Sequence, residues 1–177
     1  MSSSDEIVRS TTRDDVKTIL RFIKQKAEFD ISMKGFSGAI ETSEQSLLET
    51  LFSEMPYAHA VLAESAGTVN GFALYYFRYS SFKGRPHLWL EDLLVTPESR
   101  SNGIGQKLMK YLAVQAINQN CSHMAWTVSI NNTKGIQFYE RLGAKVQEKN
   151  NKRHVLSLDE HILISLGRAN KLFEKEH

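Results

Sequence analysis

Residues 87–105 read His87-Leu88-Trp89-Leu90-Glu91-Asp92-Leu93-Leu94-Val95-Thr96-Pro97-Glu98-Ser99-Arg100-Ser101-Asn102-Gly103-Ile104-Gly105. The first nine form an apolar run of strand length, and the next ten a polar turn carrying a proline and two glycines. Ile104, Leu108, Leu112, Ala116 and Ile117 then recur at helical spacing to about Asn120, and Met124–Ile130 is again β-prone. Strand, glycine turn, helix, strand is a βαβ unit, which makes the two strands parallel neighbours joined by a right-handed crossover.

Toward the N-terminus, Ala58–Glu64 and Phe72–Tyr79 flank Ala66-Gly67 and Asn70-Gly71, the pattern of an antiparallel hairpin. Before it, Thr42 with Gln45 opens a helix carrying Leu47, Leu48, Leu51 and Phe52, which Pro56 closes. Thr12 with Asp15 caps an earlier helix whose Val16, Ile19, Leu20, Ile23 and Ala27 share a face to about Phe29, and Glu6–Ser10 reads as a short strand. Toward the C-terminus, Asn131–Leu142 is a helix closed by Gly143. Residues 144–158 hold one or two strands, and Ser157 or Asp159 caps a last helix with Ile162, Leu163 and Leu166.

A chain of 177 residues suits one domain, here residues 1–177 with 1–5 as a flexible tail, and buries roughly 70% of its unfolded surface. Its 22 basic and 20 acidic residues, without a dense basic run, give no sign of nucleic acid binding. No apolar run approaches the ~20 residues of a membrane span, and Met1–Glu6 lacks the apolar centre of a secretory leader. Cys121 is the single cysteine, so an internal disulfide is excluded and a reducing, cytoplasmic setting is expected. The six histidines lack metal-ligand spacing, and no metal is expected.

Three places carry the chemistry. At Arg100–Gly105 several backbone N–H groups and the positive end of a helix converge, each such interaction with an anion being worth roughly 0.3 to 2 kcal/mol. The stretch is equally readable as a turn and helix cap without a ligand. It is neither a dinucleotide fingerprint, position 108 being leucine, nor a P-loop. Glu91 and Asp92 are adjacent carboxylates in an apolar strand, and alternation sends them to opposite faces. One of them faces a cleft and acts as a base, or both sit in ordinary pairs at a strand end. Tyr139, on the helix after Asn131-Asn132, is a core residue with a satisfied hydroxyl or an acid.

Taken in order, these pieces resemble the GNAT superfamily of acyl-CoA-dependent N-acetyltransferases. The match is to its R/Q-x-x-G-x-G/A motif at Arg100, Gly103 and Gly105, and to its downstream pattern from Asn132 through Phe138-Tyr139 to Gly143-Ala144. Within the superfamily the chain is most similar to the diamine N-acetyltransferases, from about Arg9 to Ala144.

The resemblance implies an α/β (α+β) fold with a mixed, twisted and splayed central sheet flanked by helices. It implies acetyl-CoA as co-substrate, a small-molecule primary amine as acceptor, direct transfer without a covalent enzyme intermediate, and a homodimer. Backbone amides of Ser101, Asn102, Gly103, Ile104, Gly105 and Gln106 would hold the CoA diphosphate beside Arg100. Leu93, Leu94 and Val95 would pair with the pantetheine arm, and Asn132 would border the cofactor. Tyr139 would protonate the departing thiolate, Glu91 would take the amine's proton through water, and Asp92 would hold a second amino group. An amine of pKa about 10.4 must lose a proton before attack, at roughly 4 to 5 kcal/mol at neutral pH.

Where diamine acetyltransferases carry acidic and tryptophan residues for the polyamine, this chain has Ser80 in a Tyr79–Gly84 loop and the run Asn150-Asn151-Lys152-Arg153-His154. A neutral-to-basic rim repels a dication, so an amino-acid-like acceptor stands beside polyamine and diamine, its carboxylate held by Arg153 or Lys152. The rival reading is a non-catalytic acyl-CoA-binding or interaction domain.

Overall fold

The computed structural model describes residues 7–149 and 153–168. The expected tail at residues 1–5 lies outside them. The elements run β1 (Ile7–Ser10), α1 (Val16–Ser32), α2 (Glu44–Leu51), β2 (His59–Ser65), β3 (Thr68–Ser80), β4 (Arg85–Val95), α3 (Ile104–Asn118), β5 (Met124–Ser129), α4 (Thr133–Arg141), β6 (Lys145–Lys149), β7 (Arg153–Leu158) and α5 (Glu160–Arg168). Seven strands form one mixed sheet in the order β1-β2-β3-β4-β5-β7-β6. The parallel pair is β4 with β5, as the βαβ reading requires; its register covers Leu88, Trp89 and Leu90 against Met124, Ala125 and Trp126.

Two compact units divide the chain: residues 1–29, 38–76 and 91–109, and residues 30–37, 77–90 and 110–177. In the first, Val16, Ile19 and Phe22 of α1 meet Leu47 of α2, Ala60 and Leu62 of β2, Phe72 of β3 and Leu94 of β4 in one apolar cluster. The Phe22 and Phe72 rings stack 5.5 Å apart. The Thr12 N–H donates to the Asp15 carboxylate at 2.8 Å, and Arg9 of β1 donates to both Asp15 oxygens at 2.9 Å. The N-terminal cap of α1, which begins as a single 3-10 turn at Arg13–Asp15, is thereby tied to the first strand.

Two expectations need correction. The α2 cap is Ser43, one residue after Thr42: its Oγ accepts from the Ser46 N–H at 3.1 Å while the Ser46 Oγ accepts from the Ser43 N–H at 2.9 Å. A short hydroxyl serves the reciprocal bond there as Gln45 was expected to. The hairpin turn is Ala66-Gly67 alone, with φ of 49° and 76°. Two consecutive positive φ values match the twist of antiparallel strands, so β3 starts at Thr68 and absorbs Asn70-Gly71.

In the second unit β5 lies between β4 and the antiparallel β7, which pairs in turn with β6. Leu88, Leu112, Met124, Trp126, Leu156, Leu158 and Leu163 are buried there. Gly143, at φ 91°, ends α4, and a Cβ on it would stand 3.1 Å from Ile162 of α5.

Candidate active site

The glycine turn belongs to the first unit. After β4, Pro97–Ser99 make a single 3-10 turn, and the Arg100 Nε–H donates back to the Val95 carbonyl at 3.1 Å. The Arg100 guanidinium also lies over the Phe29 ring, 5.5 Å from its centre. Ser101 and Gly103 then take left-handed backbone, φ 67° and 82°. The first helical bond of α3 runs from the Lys107 N–H to the Gly103 carbonyl at 3.0 Å. Gly103 is therefore the N-cap, and the N–H groups of Ile104, Gly105 and Gln106 have no acceptor within the helix. A Cβ built on Gly103 meets nothing within 4 Å, so the turn is open to solvent there. Open backbone at the positive end of a 15-residue helix fits an anionic diphosphate.

A residue the sequence reading left in a turn sets this helix in place. A Cβ on Gly71 of β3 would fall 2.8 Å from Ile104 Cγ2 and 3.0 Å from Leu108 Cδ1. Glycine there lets the first turn of α3 lie directly on the strand.

Along β4, Leu90 and Leu94 are buried, Glu91 is exposed and Asp92 is mostly buried. Alternation puts Asp92 with Leu90 and Leu94, and Glu91 with Leu93 and Val95. The Lys26 ammonium of α1 stands 3.7 Å from Asp92 Oδ1, with both side chains about four-fifths buried. The two carboxylates thus part as expected, the inner one compensated by a cation and the outer one exposed.

Asn132 and Tyr139 belong to the second unit. Asn132 caps α4, its Oδ1 accepting from the Gly135 N–H at 2.9 Å. A Cβ on Gly135 would overlap the cap amide, 2.7 Å from Asn132 Cγ, which is why glycine follows. Tyr139 is buried with its ring 4.8 Å from that of Trp126 and 5.1 Å from that of Phe138. Trp126 is 1% exposed, and its indole N–H has no acceptor. Nothing in the sequence marked that donor, because whether an N–H is satisfied depends on contacts brought from other elements.

The end of β5 also holds a distant loop. The Met33 carbonyl accepts from Ser129 Oγ at 3.1 Å and from Asn131 Nδ2 at 2.8 Å. No local pattern announces a bond between residues 96 and 98 positions apart. Burial, with a small opposing effect from Arg85, pushes the Cys121 thiol up to about 11, so it is protonated at neutral pH and a poor nucleophile. Among the described residues no group of three His, Cys, Asp or Glu could hold a metal ion, and no helix is long and apolar enough to cross a membrane. Lys152 lies outside the described residues. Ser80 ends β3, and Tyr79 and Phe82 in that loop are exposed.

The Glu91–Gln106 group is thus continuous in the first unit, and Asn132 and Tyr139 share α4 in the second. A thialysine N-epsilon-acetyltransferase of Bos taurus is 35% identical over 147 residues, 78% of this chain and 84% of that protein. A spermidine/spermine N(1)-acetyltransferase-like protein 1 of Homo sapiens is 33% identical over 144 residues, 77% of this chain and 20% of that protein. The solved integron cassette protein VCH_CASS6 of V. cholerae superposes with a TM-score of 0.65 at 27% identity, covering 94% of this chain and 99% of that one. The model of the acetyltransferase (GNAT) family matches residues 26–144, from the middle of α1 through α4, and the chain is a member of that family.

Proposed function

We propose that this acetyltransferase transfers the acetyl group of acetyl-CoA to a primary amine of a small amino-acid-like, diamine or polyamine acceptor by direct attack of the amine. The observation that carries the reading is the turn before α3, where Ser101 and Gly103 take left-handed backbone and the space beside Gly103 is open, at the start of a helix whose first N–H groups have no acceptor within it. Backbone amides of Ser101–Gln106 would hold the diphosphate, helped by the charge of Arg100. Main-chain groups of Leu93, Leu94 and Val95 would align the pantetheine arm and polarise the thioester carbonyl. Asn132 would border the same molecule. Acetyl-CoA supplies the activated acyl group and a thiolate leaving group of pKa near 8.5.

The protein's own part is proton movement. Exposed Glu91 takes the ammonium proton through water, and the Tyr139 hydroxyl donates its proton to the departing sulfur. Asp92, on the other face of β4 and already paired with Lys26, is given no ammonium of the acceptor to hold. A protonated, buried Cys121 suits transfer without an acyl-enzyme. The similarity to a protein named for thialysine, an amino acid with a terminal amine, supports an amino-acid-like acceptor. We read residues 1–177 as one catalytic domain, cytoplasmic and homodimeric, as the resemblance implies.

Thiol titration with acetyl-CoA over a panel of amines tests this. Stoichiometric release of CoA with an acetylated amine is expected. Saturable acetyl-CoA binding without turnover on any amine would make the chain a binding module instead.

A further inference from the structure

We propose that Lys34 determines acceptor specificity by binding the carboxylate of an amino-acid acceptor; this deepens the function just stated and rests on it. Ile31, Lys34, Gly35, Phe36 and Ser37 line an open concavity of about 320 Å³, and all of them but Gly35 are exposed. Its lining holds one ammonium and no carboxylate. Lys34 makes no ion pair among the described residues, so its charge is available to a ligand. Ile31 and Phe36 offer apolar surface beside it, and Ser37 a hydroxyl. That combination takes an anionic group attached to a short aliphatic stem, and it repels a polycation.

The loop is held rather than loose. Lys34 has φ 55°, left-handed backbone that a non-glycine residue seldom adopts. Neighbouring bonds hold it there: the Lys34 N–H donates to the Ile31 carbonyl at 2.9 Å and the Gly35 N–H to the Asp30 carbonyl at 2.8 Å. The Met33 carbonyl is fixed by the latch from Ser129 and Asn131, and Ser129 is itself buried. Gly35 lies beside the same serine, and an added Cβ there would stand in ordinary contact, 3.4 Å from the Ser129 Cβ. Asn131 is followed directly by Asn132, the cap of α4. One short segment, Ser129–Asn132, therefore positions both the lysine loop and the helix that carries Tyr139, all within the second unit.

The test compares thialysine with its decarboxylated diamine, 2-(2-aminoethylthio)ethylamine, which keeps the stem and terminal amine and lacks the carboxylate. In Lys34→Gln the ratio of kcat/KM for thialysine over the diamine should fall roughly 10-fold, and in Lys34→Glu toward 100-fold, the loss of a hydrogen-bonded charge partner. The change should lie in the acceptor KM, with the acetyl-CoA KM unmoved. A ratio unchanged in Lys34→Glu overturns the assignment of Lys34 alone. Failure of the wild-type protein to acetylate any amine overturns the proposed function and this inference together.

Discussion

The turn at residues 100–106 and the loop at residues 30–37 are built in opposite ways. The first is made of backbone: two positive φ angles, a helix start and open space beside Gly103. The second is made by side chains, since Ser129 and Asn131 must reach across the sequence to hold one carbonyl. A site made of main-chain donors tolerates change at most of its positions and fails at the few where a Cβ intrudes. A latched loop is open to tuning by single exchanges, which suits recognition of a variable acceptor. The co-substrate, shared by the whole family, is assigned to the first and the acceptor to the second.

The sharpest way to break the comparison is Gly103→Glu. At φ 82° the substitution strains the turn, and its carboxylate would face a diphosphate held there, which together should cost roughly 3 kcal/mol, a loss of acetyl-CoA affinity of about 100-fold or more. Calorimetric titration reads this directly, with circular dichroism showing that the fold is kept; affinity equal to wild type would place the diphosphate elsewhere. Tyr139→Phe should have a smaller effect of another kind. It removes one proton and little packing, so kcat should drop about 100-fold, at the low end for general acids because a thiolate leaves easily. The acetyl-CoA dissociation constant should stay within about twofold, and an unchanged kcat would remove Tyr139 from the chemistry.

The smallest effect concerns the second unit's stability. The His87 and His123 rings stack 4.5 Å apart, and burial, followed by the charges of His87 and Lys83, pushes His123 down to about 4. Its folded form binds fewer protons than the unfolded chain, whose histidine titrates near 6.5. Stability should therefore be complete above about pH 6.5 and be lost progressively as pH falls toward 4. Melting temperatures across that window should slope less in His123→Phe, and equal slopes would mean that the ring is already charged or exposed.

Much of the fold was legible because its signals are local. Apolar period, the Thr12–Asp15 cap and Gly143 mark elements within a few residues of themselves, and Arg100–Gly105 announces its backbone by composition. Ser43 displaced Thr42 as a cap because adjacent hydroxyls offer the same chemistry and only packing selects between them. Gly71 was read as a turn residue although its role is to admit Ile104 and Leu108, a contact spanning more than thirty positions. The latch on Met33 and the unsatisfied Trp126 N–H were illegible for the same reason. Each depends on which distant groups the sheet brings alongside.

Backbone amide resonances observed during titration with CoA address the central claim most directly. The amides of Ser101, Asn102, Gly103, Ile104, Gly105 and Gln106 should show the largest shifts and saturate together with the binding isotherm. Saturation with these six unmoved, and the main changes elsewhere in the chain, would contradict it.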